Sequence, residues 1–366
     1  MRSLGLCLVV VWLWGAVGCD SQPPPPPPPK EASKAKAFAI QGLEAPLERP
    51  ATFRKGVSLG LFVSTDEPDQ RRRYYQTFLD EIAALGATDV SLVVRWSQQD
   101  IRATEIAPRA GVTVDDAVLV EVIEMATKRG LRVFLLPILH LEAKKRGEWR
   151  GKLKPGSWDR WWASYQRFIL HYALLAHRAG VEMLAVGSEL ATAERYEQRW
   201  RSLIKAVRDR YKGKLTYSAN WDHFEPIAFW DALDVVGVTA YQELSKRKHP
   251  TLGQLVEGWK PFEHRLKAWA RRHEHRYIFT EVGYPSNPHG AARPWDHREK
   301  GQSRPGLQLR CYQSLYKVWQ TDPSLDGLYL WNWFGHGGLQ DKGYTLRGKP
   351  ARYVIERWFA TDQPVR

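Results

Sequence analysis

Two glutamates stand out because each closes a short apolar run. Glu189 follows Ala185-Val186-Gly187-Ser188, and Glu281 follows Tyr277-Ile278-Phe279-Thr280. A carboxylate at the end of a buried strand is unfavourable unless partners or solvent meet it, so a pair of them suggests a shared task. Paired carboxylates suit cleavage of a glycosidic bond. One carboxylic acid protonates the departing oxygen, and one carboxylate attacks the anomeric carbon or activates water. Other apolar runs end on residues that suit the same chemistry: Arg95 and Trp96, His140, Asn220 and Trp221, Tyr241, and Trp331 with Asn332. Indoles offer flat faces to sugar rings, and the polar groups can bind hydroxyls.

These residues need elements that bring them together. From about residue 50, strand-like runs alternate with helix-like segments. The strands are expected at Gly56–Phe62, Asp89–Trp96, "LRVFLLPIL", "VEMLAVGSE", "LTYSAN", "DVVGVTAY", "RYIFTE" and "GLYLWNW". Between them lie amphipathic patterns, among them one of about Trp158 to Arg178 and one of about Glu197 to Tyr211. Eight apolar strands, most followed by a helix, predict a parallel sheet closed as a (β/α)₈ TIM barrel, with the strand C-termini forming one active face. A doubly wound open sheet is the alternative, but "GLFVSTDEPDQ" after the first strand is not a glycine-rich phosphate loop. No solenoid repeat and no second domain is visible.

With the strands counted, the chain resembles glycoside hydrolase family 113 of clan A, known chiefly for β-mannanases. The matching stretches are "WSQQDI", "AVGSEL", "YSANWD", "FTEVGYPS", "PWD" at Pro294 to Asp296, "LWNWF" and "GYTLRGKPA". The resemblance implies a retaining mechanism with Glu189 as acid/base after the fourth strand and Glu281 as nucleophile after the seventh. It implies that Tyr241 contacts the nucleophile and that Trp331 floors the sugar site. Many clan members carry Asn just before the acid/base, where this chain has Ser188, so sugar 2-hydroxyl recognition is expected to differ. On this reading Glu281 is ionised, held by Tyr241 and Arg95, and Glu189 is protonated. The substrate is then a β-linked polysaccharide or oligosaccharide, with β-1,4-mannan first, and no cofactor or metal is required. The loop from Pro285 to Pro305 is expected as a subsite wall or a lid.

The bland readings are stated beside these. Arg95 also suits a structural ion pair, His140 a satisfied strand end, and Trp96 and Trp221 packing. "RRHEHRY" does not place His273 and His275 together on a helix face, so it is a poor metal site. "VGSEL" lacks the second glycine of a serine-hydrolase elbow. A non-catalytic glycan-binding envelope protein is the main rival, disfavoured because binding alone needs neither carboxylate.

The formal net charge of +14 raises nucleic-acid binding as a second rival. The basic runs are scattered, among them Arg71-Arg72-Arg73 and Lys246-Arg247-Lys248, so solvated helix faces and no nucleic-acid partner are expected. The 17 Trp suit a large core and sugar stacking together.

The N-terminus reads as a targeting segment. Met1-Arg2-Ser3 precedes an apolar stretch that ends before Cys19, and the pattern resembles a bacterial lipoprotein signal, with Ala16 where Leu is usual. That resemblance implies lipid on Cys19 and a membrane-anchored envelope protein. The expected organisation is a signal over 1–18, a lipidated cysteine and proline-rich linker over 19–38, and one barrel domain over 39–366. Cys311 remains alone as a small buried apolar residue, with no intrachain disulfide. A monomer is expected.

Overall fold

The computed structural model describes residues 29–61, 67–296 and 301–360. The expected signal, Cys19 and the proline run lie outside the described residues. In chain order the strands are β1 (Arg54–Gly60), β2 (Asp89–Gln98), β3 (Arg132–Leu141), β4 (Met183–Ser188), β5 (Lys214–Ala219), β6 (Val235–Thr239), β7 (Tyr277–Val282) and β8 (Leu325–Leu330). All pair in parallel, and β8 returns to β1 to close the barrel. The TIM barrel predicted from the alternating pattern is therefore the fold.

The helices are α1 (Pro29–Ile40), α2 (Pro68–Ala84), α3 (Asp116–Lys128), α4 (Trp158–Arg178), α5 (Ala191–Glu194), α6 (Glu197–Arg208), α7 (Leu252–Arg272), α8 (Pro305–Trp319) and α9 (Ala351–Phe359). Helix α4 has the span read from its aromatic period. Helix α1 begins within the stretch expected as linker. Proline at its first position and the Ala- and Lys-rich sequence after it favour helix. It docks on the barrel: Gln313 donates to the Ala39 carbonyl at 2.9 Å, and Ala39 is fully buried.

Alternation along each strand sorts side chains between two cores. Val93, Phe134, Leu136, Ile138, Met183, Ala185, Ile278 and Tyr329 fill the barrel interior. A larger cluster, including Trp161, Tyr165, Trp200, Tyr217, Trp259 and Trp319, lies between strands and helices. Most of the tryptophans are thus structural. Cys311 is buried there too, as the sequence suggested.

β1 starts two residues before its expected start, and the extra residues, Arg54 and Lys55, are buried. Arg54 bonds Asp89 at 2.9 Å and Glu182 at 2.7 Å, and Arg132 bonds Asp89 at 2.6 Å. This ionic cluster closes the N-terminal end of the barrel. Half-buried basic residues pair along the helices, as Arg129 does with Asp80 and Arg201 with Asp231. That arrangement fits solvated helix faces.

Candidate active site

Both glutamates sit where the strand ladder is irregular. The β4–β5 register shifts between Ala185 and Ser188, and the β7–β8 register shifts between Phe279 and Val282. A bulge re-aims the side chains that follow it. In β7, Ile278 faces the barrel interior and Thr280 bonds Ser218, an interior neighbour, at 2.6 Å. Strict alternation from these would turn Glu281 outward, and the shift brings it to the cleft. In β4 the shift turns Gly187 toward the outer layer. A Cβ there would lie 2.7–2.9 Å from Tyr165, Trp200 and Tyr217, so only glycine fits.

Glu189 adopts φ +54°, a left-handed conformation uncommon for a residue with a side chain. The bend is held on both sides. Glu189 N–H donates to the Ser218 carbonyl at 2.8 Å, and Leu190 N–H donates to the Tyr217 hydroxyl at 2.8 Å. Tyr217 in turn donates to Glu194 at 2.6 Å, and Glu194 bonds His223 at 2.7 Å. Backbone held in such a region is a common feature of functional sites.

Arg150 lies in the short 3-10 turn Arg150–Lys152 after β3. Its Nη2 donates to Glu189 Oε2 at 2.7 Å, and its Nε donates to the Ser188 carbonyl at 3.2 Å. Glu189 is thus in an ion pair. Glu281 is 3 % exposed. Tyr241 donates to its Oε2 at 3.0 Å, while its Oε1 is buried with no hydrogen-bond partner among the described residues. Burial, and then the nearby Glu189 charge, push Glu281 up to about 8, against the smaller opposing effects of Arg150 and Tyr241. The two carboxyls thus have different surroundings: the Arg150 cation lies on Glu189, whereas burial disfavours charge on Glu281 and Tyr241 offsets it only in part.

Tyr241 stands where it was expected, buried against Glu281. Trp331 packs against the interior cluster, its N–H donating to the Val282 carbonyl at 2.7 Å. A Cβ at residue 283 would lie 2.2 Å from the Trp331 carbonyl oxygen, so glycine lets the chain after Glu281 pass the Trp331 backbone. Asn332 follows through a cis peptide and is half-buried. Ser188 is buried, and its hydroxyl is without a partner among the described residues. Asn220 is half-buried just beyond β5. Arg95 and His140 share the interior register of Val93 and Ile138. Burial lowers both, and Arg95, Lys144 and Arg150 further disfavour charge on His140.

Trp96 is not brought to this cleft. It is one residue past the inward Arg95, and its ring packs 5.4 Å from Phe168 and 5.2 Å from His171 on α4. The period of two that turns Arg95 in must turn Trp96 out. The packing reading holds for this indole.

Trp221 has a different partner. Its ring stacks on Trp295 at 6.2 Å and 20°, and Trp295 is 46 % exposed. The Tyr344 hydroxyl donates to the Pro294 carbonyl at 2.6 Å, and both glutamates act electrostatically on Tyr344. The Trp295 segment is thereby tied toward the carboxylates. The described parts of the loop after β7 are pinned at several points. Ser286 N–H donates to the Gly343 carbonyl at 3.0 Å, Arg304 N–H to the Ser286 carbonyl at 3.0 Å, and Leu244 N–H to the Ala291 carbonyl at 2.8 Å.

Sequence reasoning missed Arg150, the Tyr217–Glu194–His223 chain and Tyr344. Arg150 lies in a basic loop, "EAKKRGEWRGK", with no period to single it out. Trp295 did carry a signal, since it sits in the "PWD" stretch. The closing stretch "GYTLRGKPA" proves mainly structural: Arg347 bonds Glu81 at 2.6 Å and Lys349 bonds Asp341 at 2.8 Å. Among the described residues no group of three or more His, Cys, Asp or Glu could hold a metal ion.

The family description "Glycoside Hydrolase Family 113" matches residues 66–349. A solved GH113 β-mannanase from Alicyclobacillus acidocaldarius, in complex with ManMIm, is 30 % identical, with a TM-score of 0.74 over 84 % of this chain and 97 % of that one. A GH113 β-1,4-mannanase structure is 27 % identical, with a TM-score of 0.75 over 84 % of this chain and 98 % of that one. A family 5 mannosidase from Rhizomucor miehei, at 10 % identity and a TM-score of 0.57, shares the fold. No curated protein matches the chain by sequence.

Proposed function

The chain belongs to glycoside hydrolase family 113, and from that premise we propose that it cleaves β-1,4-mannan or manno-oligosaccharides with net retention. Glu281 is the nucleophile and Glu189 the acid/base. The observation that carries the mechanism is the buried Glu281, held by Tyr241 through one oxygen and presenting the other, without a partner among the described residues, beside Glu189. An oxygen desolvated in this way is poised to bond carbon rather than to bind a cation.

The first step forms a bond from Glu281 to the anomeric carbon while Glu189 gives its proton to the departing oxygen. Burial disfavours the Glu281 anion, so substrate contacts must offset that cost for the first step to proceed. Water then displaces Glu281, with Glu189 as base. Retention requires the carboxyl groups to be about 5–5.5 Å apart. The names of the mannanase relatives support mannan as substrate, and the Trp221–Trp295 stack supplies an aromatic surface for a sugar chain.

The test is hydrolysis of manno-oligosaccharides followed by proton NMR of the first-formed anomer. The β-anomer is expected from wild type and none from Glu281→Ala. First appearance of the α-anomer, or undiminished turnover by that variant, would sink the mechanism. Faster cleavage of another β-glycan across a panel would reassign the substrate.

The proposal extends to the N-terminus. Cleavage before Cys19 and lipid on its sulfur and amino group anchor the protein at the cell envelope, on the strength of the sequence pattern. Labelled fatty acid should enter the full-length protein and not its Cys19→Ala variant. Equal labelling of both would remove the anchor.

A further inference from the structure

Arg150 stands outside the residues that the strand count brings to the cleft, yet its guanidinium is the group bonded to Glu189. Two contacts fix it to the end of β4, one to Glu189 Oε2 at 2.7 Å and one to the Ser188 carbonyl at 3.2 Å. Glu189 Oε1 has no hydrogen bond among the described residues and is left for the cleft. The Arg150 charge also reaches Glu281 and His140.

The two half-reactions of a retaining enzyme need opposite charge patterns. In the first, Glu281 is anionic and Glu189 carries a proton. In the second, Glu281 is an ester without charge and Glu189 must be anionic to act as base. Glu189 paired with the Arg150 guanidinium at 2.7 Å, beside a Glu281 whose burial disfavours charge, suits the second. We propose that Arg150 is a positioning residue for the second half-reaction, holding Glu189 as the carboxylate that receives the proton of the attacking water. This rests on the retaining mannoside hydrolysis proposed above.

The step balances without another reagent. The water oxygen bonds to the anomeric carbon, and one water proton passes to Glu189 Oε1. The bond from that carbon to Glu281 breaks, and its electron pair stays on the Glu281 carboxylate. Arg150 remains on Oε2 throughout and keeps that oxygen from turning into the cleft. The other ionisable groups that interact with this pair are Tyr241 after β6 and Tyr344 after β8, and His140 on β3 feels Arg150 together with Arg95 on β2 and Lys144 and Glu142 after β3. Burial and neighbouring carboxylates hold Tyr241 and Tyr344 neutral, and burial with nearby cations holds His140 neutral. None of these neutral groups can replace the Arg150 charge.

A 2,4-dinitrophenyl β-mannoside separates the steps, because its leaving group departs without a proton and breakdown of the glycosyl-enzyme then limits turnover. In full-length Arg150→Gln, kcat on this substrate should fall about tenfold or more, with a burst of dinitrophenolate, while kcat/KM stays within about threefold. Arg150→Lys keeps the charge and should recover most of kcat. Equal loss in kcat and kcat/KM without a burst, or no loss, would overturn the proposal. A second measurement needs no turnover. Carbon-13 NMR of labelled glutamate carboxyls should show the Glu281 titration moving to higher pH in Arg150→Gln and returning in Arg150→Lys. If wild type cleaves no β-mannoside, the substrate reading fails, and this titration alone decides for Arg150. A Glu281 titration that stays in place in Arg150→Gln would overturn the role.

Discussion

The Tyr217 hydroxyl donates to Glu194 at 2.6 Å while accepting the N–H of Leu190, the residue after Glu189. A buried phenol on the outer side of β5 therefore holds the left-handed turn that presents Glu189. Tyr217→Phe removes one atom and strands both partners. Leaving a buried group unpaired costs about 1–3 kcal/mol, so the variant should unfold at lower denaturant with unchanged m. Its kcat should fall with little change in KM, because the turn and not the sugar contacts is loosened. Denaturation curves and steady-state kinetics on the purified variant check both.

His223 completes that chain, and its bond to Glu194 raises it above its usual 6.5. The sign follows from linkage. A raised folded value means that stabilisation is complete below about 6.5 and fades as pH climbs through the raised value. The Tm difference between wild type and His223→Gln should therefore be largest near pH 5 and shrink toward pH 9. A difference that grows with pH would contradict the pairing.

Glu281 makes a matching prediction of opposite use. Its folded value of about 8 lies above the ordinary 4.5, so ionising it as pH rises works against folding. Glu281→Gln, which is never charged, should match wild type in Tm below about pH 4.5 and exceed it progressively through pH 8. The same variant should lose hydrolysis. A site that is less stable where it is more nucleophilic is the expected trade between function and folding.

Trp295 tests the aromatic surface. Its ring stacks on Trp221 at 6.2 Å and is 46 % exposed, with few core contacts to lose. Trp295→Ala should leave Tm nearly unchanged. It should raise KM for longer manno-oligosaccharides by roughly two- to tenfold, equivalent to about 0.5–1.5 kcal/mol for one aromatic contact. The aryl mannoside should be less affected, since it spans fewer sugar positions.

The opposite end of the barrel should behave differently. Arg54→Met takes the 2.9 Å partner from Asp89, which is fully buried, and the 2.7 Å partner from Glu182, while Arg132 stays on Asp89 at 2.6 Å. Because Asp89 keeps one cation, the variant should lose about 1–3 kcal/mol, less than a fully orphaned buried charge costs. Turnover per folded molecule should persist, because the cluster lies at the face away from the carboxylates. Thermal unfolding and active-site titration separate the two effects.

Much of this was legible in the chain. Glu189 and Glu281 each end an apolar run, and the number and spacing of those runs carry them to matching strands of one barrel. Tyr241 and Trp331 are placed by the same counting. Trp96 shows where counting by run is too coarse, since its neighbour Arg95 takes the inward place and the indole meets α4 instead. Helix α1 shows that a stretch beside a proline run can be helical and docked, here through Ala39.

What the sequence by itself determined is periodic: the eight strands, their order, and the strand ends on which carboxylates fall. Those follow from the period of two in a strand and 3.6 in a helix, which are local properties of the chain. What only the tertiary structure decided is what surrounds each carboxylate: an arginine on Glu189, and burial with one tyrosine around Glu281. Arg150 reaches Glu189 from an aperiodic loop 39 residues away, and the two glutamates are 92 residues apart. Burial and charge depend on distances in space that no local period records, so the two carboxyls acquired their different surroundings only when the barrel closed.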